Sequence, residues 1–324
     1  MRILRPAPLP EKSRATAVKN FVGAYGLPIV FLLVVVYLSI SAENFLTVTN
    51  LVNVVRQSSM VGFLALGLTF VMITAGIDLS VGSIVGLSGV VAATMAPGDG
   101  AAFLLPILLG LAIGALVGAI NASLIIFGGI LPFLATLAVM AAVRSGSLIF
   151  TDGQPVAGLS ERFQALGTGE IASIPVPVIL FLACALIADF ILSRTRFGRH
   201  VYAVGGNQES AQKVGISVRA VLARVYIIAG VLAAIGGVVL TARVNGADPL
   251  AGTGYELQAI AAVVIGGTSL FGGIGTIRGT VLGVLLVGVV MNGLNLLNVS
   301  SYYQQAIQGL ILVVAVLLNR WKPL

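Results

Sequence analysis

Residues 102–127 read AFLLPILLGLAIGALVGAINASLIIF, twenty-six positions without a charged side chain. A helix needs roughly 20 apolar residues to cross the hydrocarbon layer of a bilayer. This run exceeds that length, so a tilted or broken membrane helix is expected here. Gly110, Gly114 and Gly118 recur every four residues and therefore share one face of the helix. Lipid supplies no hydrophobic drive between helices, and faces of small residues let two backbones approach within van der Waals contact. The same spacing returns as Gly82/Gly86 and Gly279/Gly283.

The rest of the chain has the same character. Of its 324 residues, 58% are hydrophobic and 9% are charged, against about 25% charged in soluble domains. Side chains this apolar have lipid as their solvent. Ten candidate spans lie near 24–42, 58–76, 79–95, 102–127, 131–150, 175–192, 221–242, 257–271, 279–297 and 302–319. The third and eighth are short. The reading is an all-α membrane protein of about ten transmembrane helices, with residues 1–23 as a cytoplasmic N-terminal segment and 24–324 as one polytopic domain. Ser39-Ile40-Ser41 would suit a signal peptidase, but the long basic lead and the spans that follow favour a retained first helix. The single Cys184 excludes a disulfide within the chain, and with the single His200 it leaves no metal cluster. No catalytic group, metal site or cofactor is expected.

Lysine and arginine favour the cytoplasmic side of a membrane. With the N-terminus inside, ten spans return the C-terminus to the cytoplasm, and fourteen of the 18 basic residues fall inside. Arg2, Arg5, Lys12, Arg14 and Lys19 precede the first span. Arg194, Arg196, Arg199, Lys213, Arg219 and Arg224 lie between spans six and seven. Arg278, Arg320 and Lys322 complete the set. Arg56, Arg162 and Arg243 fall outside, and Arg144 lies within span five. The net charge of +7 is thus a topology signal and not a nucleic-acid patch.

One cytoplasmic loop, 193–220, is long. Within it Asn207 is placed to cap a short helix, Glu209 lies in its first turn, and Gly215 stops it. So ordered a pattern favours a docking helix for a cytoplasmic partner over a solvated tether. A second feature is Asp78 in AGIDLSVGS at 75–83. An ionisable residue at membrane depth is a functional candidate, yet Asp78 directly precedes span three, and capping is favoured over contact with a solute.

At an offset of 170, Gly67, Gly76, Asp78 and Gly118 correspond to Gly237, Gly246, Asp248 and Gly288. This suggests an inverted repeat of spans 2–5 and 7–10, an arrangement that places a transport route at the repeat interface. Arg144 is the one central intramembrane charge, and no Asp/Glu/His relay is present, which argues against ion or proton coupling. Asn121, Thr136, Asn292, Asn295, Gln304 and Gln308 supply uncharged hydrogen-bonding groups suited to a neutral hydroxylated solute. Interhelical bonding is an equal alternative for any one of them. Asp78, Asn121, Thr136, Asn292, Asn295 and Gln304 are the candidate path residues. No phosphate loop of the Gly-x-x-x-x-Gly-Lys-Ser/Thr type occurs, and the run at 272–279 (GGIGTIRG) is a Gly-rich turn between spans. Energy would have to come from a separate ATPase.

Four segments carry a specific resemblance: 75–83 (AGIDLSVGS), 198–215 (GRHVYAVGGNQESAQKVG), 252–273 (GTGYELQAIAAVVIGGTSLFGG) and 292–304 (NGLNLLNVSSYYQ). Together they are similar to the ribose-type sugar permeases of bacterial ABC importers, within the wider group that includes branched-chain amino-acid permeases. Glu209, Ala211 and Gly215 resemble the ATPase-contacting loop of such permeases, although its usual Leu-Pro ending is missing. The resemblance implies an ATPase-coupling loop containing Gly198, Arg199, Asn207, Glu209, Ala211 and Gly215. It implies a vitamin-importer-like (type II) fold in the bacterial inner membrane, and a second permease subunit, identical or related. It also implies cytoplasmic ATP-binding subunits and a periplasmic sugar-binding protein that delivers a monosaccharide. The alternatives are a permease for another small solute such as branched-chain amino acids, and an ion-coupled secondary carrier.

Overall fold

The computed structural model describes residues 14–96 and 103–320. Arg2, Arg5, Lys12 and Lys322, which the orientation argument uses, lie outside the described residues. The helices are α1 (Arg14–Ser41), α2 (Val48–Ile73), α3 (Val81–Thr94), α4 (Leu104–Ile126), α5 (Pro132–Phe150), α6 (Glu161–Thr168), α7 (Val176–Arg194), α8 (Arg196–Gly206), α9 (Gln208–Lys213), α10 (Val218–Val244), α11 (Tyr255–Ile265), α12 (Ile277–Leu296) and α13 (Ser301–Arg320). Each of the ten expected apolar stretches overlaps one of them, that at 257–271 only as far as Ile265. Six (α2, α4, α5, α7, α10 and α12) are long and apolar enough to cross a membrane. At 1.5 Å per residue, the 14 residues of α3 and the 11 of α11 reach only about 21 and 17 Å, short of a hydrocarbon layer about 30 Å thick.

Burial separates the helices into a centre and a shell. In α2, 83% of the apolar stretch is buried inside the chain, against 28% in α5. α7 turns Leu182, Leu186, Ile187 and Phe190 outward, as a helix facing lipid does. The Gly face of α4 packs on α10. A methyl group on Gly118 would strike the backbone of Tyr226 and Ile227, and one on Gly114 would strike Gly230. Those glycines let the two helices touch through their main chains.

The packing pairs have a pattern. α4 lies on α10, and α3 lies on α10, α4 and α5. In the same way α12 lies on α2, and α11 lies on α2, α12 and α13. Exchanging α2 with α10, α3 with α11, α4 with α12 and α5 with α13 converts the first set into the second.

At one end of the bundle the connection between α5 and α7 folds back as a lid. Its strand β1 (Val156–Ala157) pairs antiparallel with β4 (Gly246–Ala247), which follows α10, while β2 (Glu170–Ile171) and β3 (Ile174–Pro175) form a small hairpin. Phe163 of α6 is fully buried against Val90, Ala93 and Ala242. The opposite end carries α8 and α9.

Candidate functional site: a gripped helix pair and an amide-lined cavity

α8 and α9 form the exposed feature of their end. Thr195 caps α8 by accepting from the Gly198 N–H at 3.2 Å, and α8 buries Val201 and Val204 against the bundle. Asn207 caps α9 by accepting from the Ser210 N–H at 2.7 Å. Gly215 follows with φ +84°, a left-handed stop. Of the residues expected in this loop, Arg199, Asn207, Glu209 and Gly215 are exposed, while Gly198 and Ala211 are buried. Gly198 sits so close to the end of α7 that a methyl group there would strike the Leu192 carbonyl. The short helix was expected; α8 was not, although Phe197, Val201 and Val204 at i, i+4 and i+7 mark an inward face.

α8 is fastened to two other parts of the bundle. Gly205 lies against the last carbonyl of α2, that of Ile73, and the Gly273 N–H donates to that same carbonyl at 2.9 Å. Tyr202 donates its hydroxyl to the Gly275 carbonyl at 2.7 Å. Burial, and then the charge of Asp189, push the Tyr202 phenol above its ordinary value, so it remains a protonated donor. Gly273 and Gly275 belong to the turn between α11 and α12. A movement of α8 therefore acts on the end of α2 and on the α11–α12 turn together.

Beside this contact lies the turn that holds Asp78. α2 ends in a Schellman arrangement: the Gly76 N–H donates to Val71 O at 3.0 Å, the Ala75 N–H donates to Met72 O at 2.9 Å, and Ala75 takes φ +60°. Asp78 is fully buried, and its Oδ1 accepts from the Ser80 N–H at 2.9 Å and from the Ser80 hydroxyl at 2.6 Å. Ser80 Oγ in turn accepts from Asn121 Nδ2 at 2.8 Å. Thr136 accepts from the Leu79 N–H at 3.2 Å. Asp78, Asn121 and Thr136 are thus gathered into one buried cluster that shapes the α2–α3 turn, with Asp78 Oδ2 and Asn121 Oδ1 left without a partner among the described residues. The N-cap position of α3 is Ser80, so Asp78 does not cap the helix as expected, and from two residues earlier it organises the turn that leads into it.

The remaining three path candidates lie elsewhere. Asn292 and Asn50 exchange amide hydrogen bonds at 2.9 and 3.0 Å, a clasp between α12 and α2. Asn295 and Gln304 line a cavity of about 160 Å³ between α2, α11, α12 and α13. Gln57, Ser58, Tyr255, Gln258 and Gln308 also line it. No charged side chain is among the described residues that line it. Gln57, Ser58 and Gln258 belong to the site and escaped sequence reasoning, because nothing local in the sequence links positions on separate helices. Gln308 stood among the uncharged hydrogen-bonding groups, and the i, i+4 pair Gln304/Gln308 was the available signal.

The family model for the permease component of the branched-chain amino acid transport system matches residues 50–316. The chain is 47% identical to the ribose import permease protein RbsC of Bacillus subtilis, covering 90% of this chain and 91% of that one. It is 42% identical to RbsC of Escherichia coli K12, covering 91% and 92%, and 43% identical to the D-allose transport system permease protein AlsC of the same strain, covering 90% of each. No solved structure matches significantly. With its apolar bundle matched from the first turn of α2 to within α13, the chain belongs to this family of transport-system permeases.

Proposed function

We propose that the chain is the membrane subunit of an ATP-driven importer that carries a monosaccharide, ribose or a close relative, delivered by a periplasmic binding protein. The observation that carries the energy source is the α8–α9 pair. It is ordered, exposed on its outer surface, and fastened by Gly205 and Tyr202 to helices that run through the bundle. A subunit that moves this pair moves the bundle. The identity to ribose and allose permeases over nine-tenths of the chain supports the sugar over an amino-acid cargo.

On this reading the ten apolar helices cross or enter the inner membrane in turn, both termini are cytoplasmic, and α8–α9 face the cytoplasm. Two cytoplasmic ATP-binding subunits dock there, and a second permease, identical or related, completes the pore. The exchange symmetry of the packing pairs supports an inverted repeat of α2–α5 with α10–α13. Glu209 and the surrounding exposed positions of α9 contact the ATPase, and Gly198, Ala211 and Gly215 set the geometry of that contact.

The test is co-purification. A tagged chain extracted gently from its native membrane is expected to bring an ATP-binding subunit with it. Replacing residues 207–214 by a flexible Gly/Ser segment should release that subunit while the permease still inserts and runs as a single species. Retention of the ATPase by the replaced chain removes α9 as the docking element.

A further inference from the structure

A hollow in the wall of a permease needs a reason when five amides line it beside Val61, Val284, Val287 and Met291. In the half of the bundle away from α8–α9, Gln57 and Ser58 of α2, Gln258 of α11, Asn295 of α12, and Gln304 and Gln308 of α13 converge on one cavity of about 160 Å³. A cavity of this size has room for several water molecules or for one small polar solute.

The chemistry of the walls is specific. Each amide offers two donors and an acceptor, and none carries a charge. Ser58 is 3% exposed, and its hydroxyl has no partner among the described residues. Gln308 reaches only the Met291 sulfur, at 3.8 Å, a weak acceptor. Gln304 is held in place by donating to Asn295 Oδ1 at 2.9 Å and to the Val299 carbonyl at 2.8 Å, which leaves its own oxygen free to accept. Gly288 forms the floor: a side chain there would collide with the Ser58 hydroxyl. A buried hydroxyl without a partner is costly unless a ligand completes it, and a ring of neutral donors and acceptors matches a solute made of hydroxyl groups.

The position adds a second argument. Three of the four lining helices, α2, α11 and α12, are those that α8 grips at the other end through Ile73, Gly273 and Gly275. Ser58 and Ile73 are separated by about 22 Å along α2, at 1.5 Å per residue.

We infer that this cavity is a transient sugar-binding station, in which the amides of Gln57, Gln258, Gln304 and Gln308 and the hydroxyl of Ser58 replace the water of one monosaccharide during its passage. The inference rests on the sugar-permease reading above. Of the path residues expected from the sequence, Asn295 and Gln304 belong to this station, whereas Asp78, Asn121, Thr136 and Asn292 shape and hold the scaffold.

The experiment uses the complete transporter in proteoliposomes with labelled ribose and labelled allose as probes, comparing wild type with Gln258→Ala, Gln304→Ala and Ser58→Ala. Loss of one net hydrogen bond predicts about a five-fold fall in uptake per substitution, together with a changed ratio of ribose to allose uptake. A merely structural role would lower both sugars equally, so a fall with the wild-type ratio overturns the inference, as does uptake at the wild-type rate. Ser58→Ala removes a hydroxyl that no protein group needs, and it decides the matter should an amide variant fail to assemble. If wild type itself shows no ATP-dependent uptake of either sugar, the sugar-permease reading fails first, and the two failures are distinguishable.

Discussion

Two regions of this bundle are built from the same uncharged polar residues and use them in opposite ways. Around the α2–α3 turn, Asn121 and Thr136 are fully buried, and they bind through the Asn121 amide N–H to Ser80 Oγ and through the Thr136 hydroxyl to the Leu79 N–H. They fix the backbone. Around the cavity, Gln57, Gln258 and Gln308 stand on three separate helices and face a hollow. The difference lies in where the hydrogen-bonding capacity goes. Polar groups in a membrane protein that bond to main chain or to each other act as scaffold, and those facing open space are available to a solute. Residue type alone does not separate the two.

The largest effect that would break this comparison is expected at Asp78. Asp78→Leu removes the acceptor for both Ser80 donors inside a buried cluster, so a properly assembled permease should be nearly absent from the membrane fraction. Asp78→Asn keeps an oxygen for Ser80 and should retain much of the wild-type yield. Equal failure of both variants, with normal yield but no uptake, would move Asp78 from scaffold to solute path.

A smaller effect, with a different signature, is expected at Tyr202→Phe. Only the hydroxyl that reaches the Gly275 carbonyl is removed, so yield and ATPase attachment should hold while uptake falls several-fold, about the weight of one hydrogen bond. Unchanged uptake would mean that Gly205 and the Ile73 carbonyl carry the grip without it.

The smallest expected effect tests the scaffold side directly. A double-mutant cycle of Asn50→Ala and Asn292→Ala should give a coupling of about 0.6 kcal/mol in thermal stability, the average for interhelical hydrogen bonds in membranes. A coupling near zero, with a large loss of uptake for Asn292→Ala alone, would return Asn292 to the path.

The apolar segments were legible because hydropathy is local: every expected stretch overlaps a helix, and the Gly face of 110, 114 and 118 points at α10. The shortness of α3 and α11 was legible for the same reason. α8 is hidden in the sequence because its inward face of Phe197, Val201 and Val204 is interleaved with basic residues that are also a topology signal. The two-residue pairing of β1 with β4 has no sequence signal, since it joins positions ninety apart by tertiary contact. Asn207 and Gly215 were readable as helix start and stop signals because capping depends on immediate neighbours. The amide cavity was not readable. Its members come from four helices, and only folding brings Gln57 beside Gln304.

The most direct test of the account is sugar uptake by proteoliposomes that contain this permease, its partner permease if there is one, the ATP-binding subunits and the loaded binding protein, with ATP enclosed on the α8–α9 side. Labelled ribose should accumulate against its gradient only when ATP and the binding protein are both present. Accumulation driven by an ion gradient alone, without ATP, would contradict the account and leave α8–α9 without a coupling role.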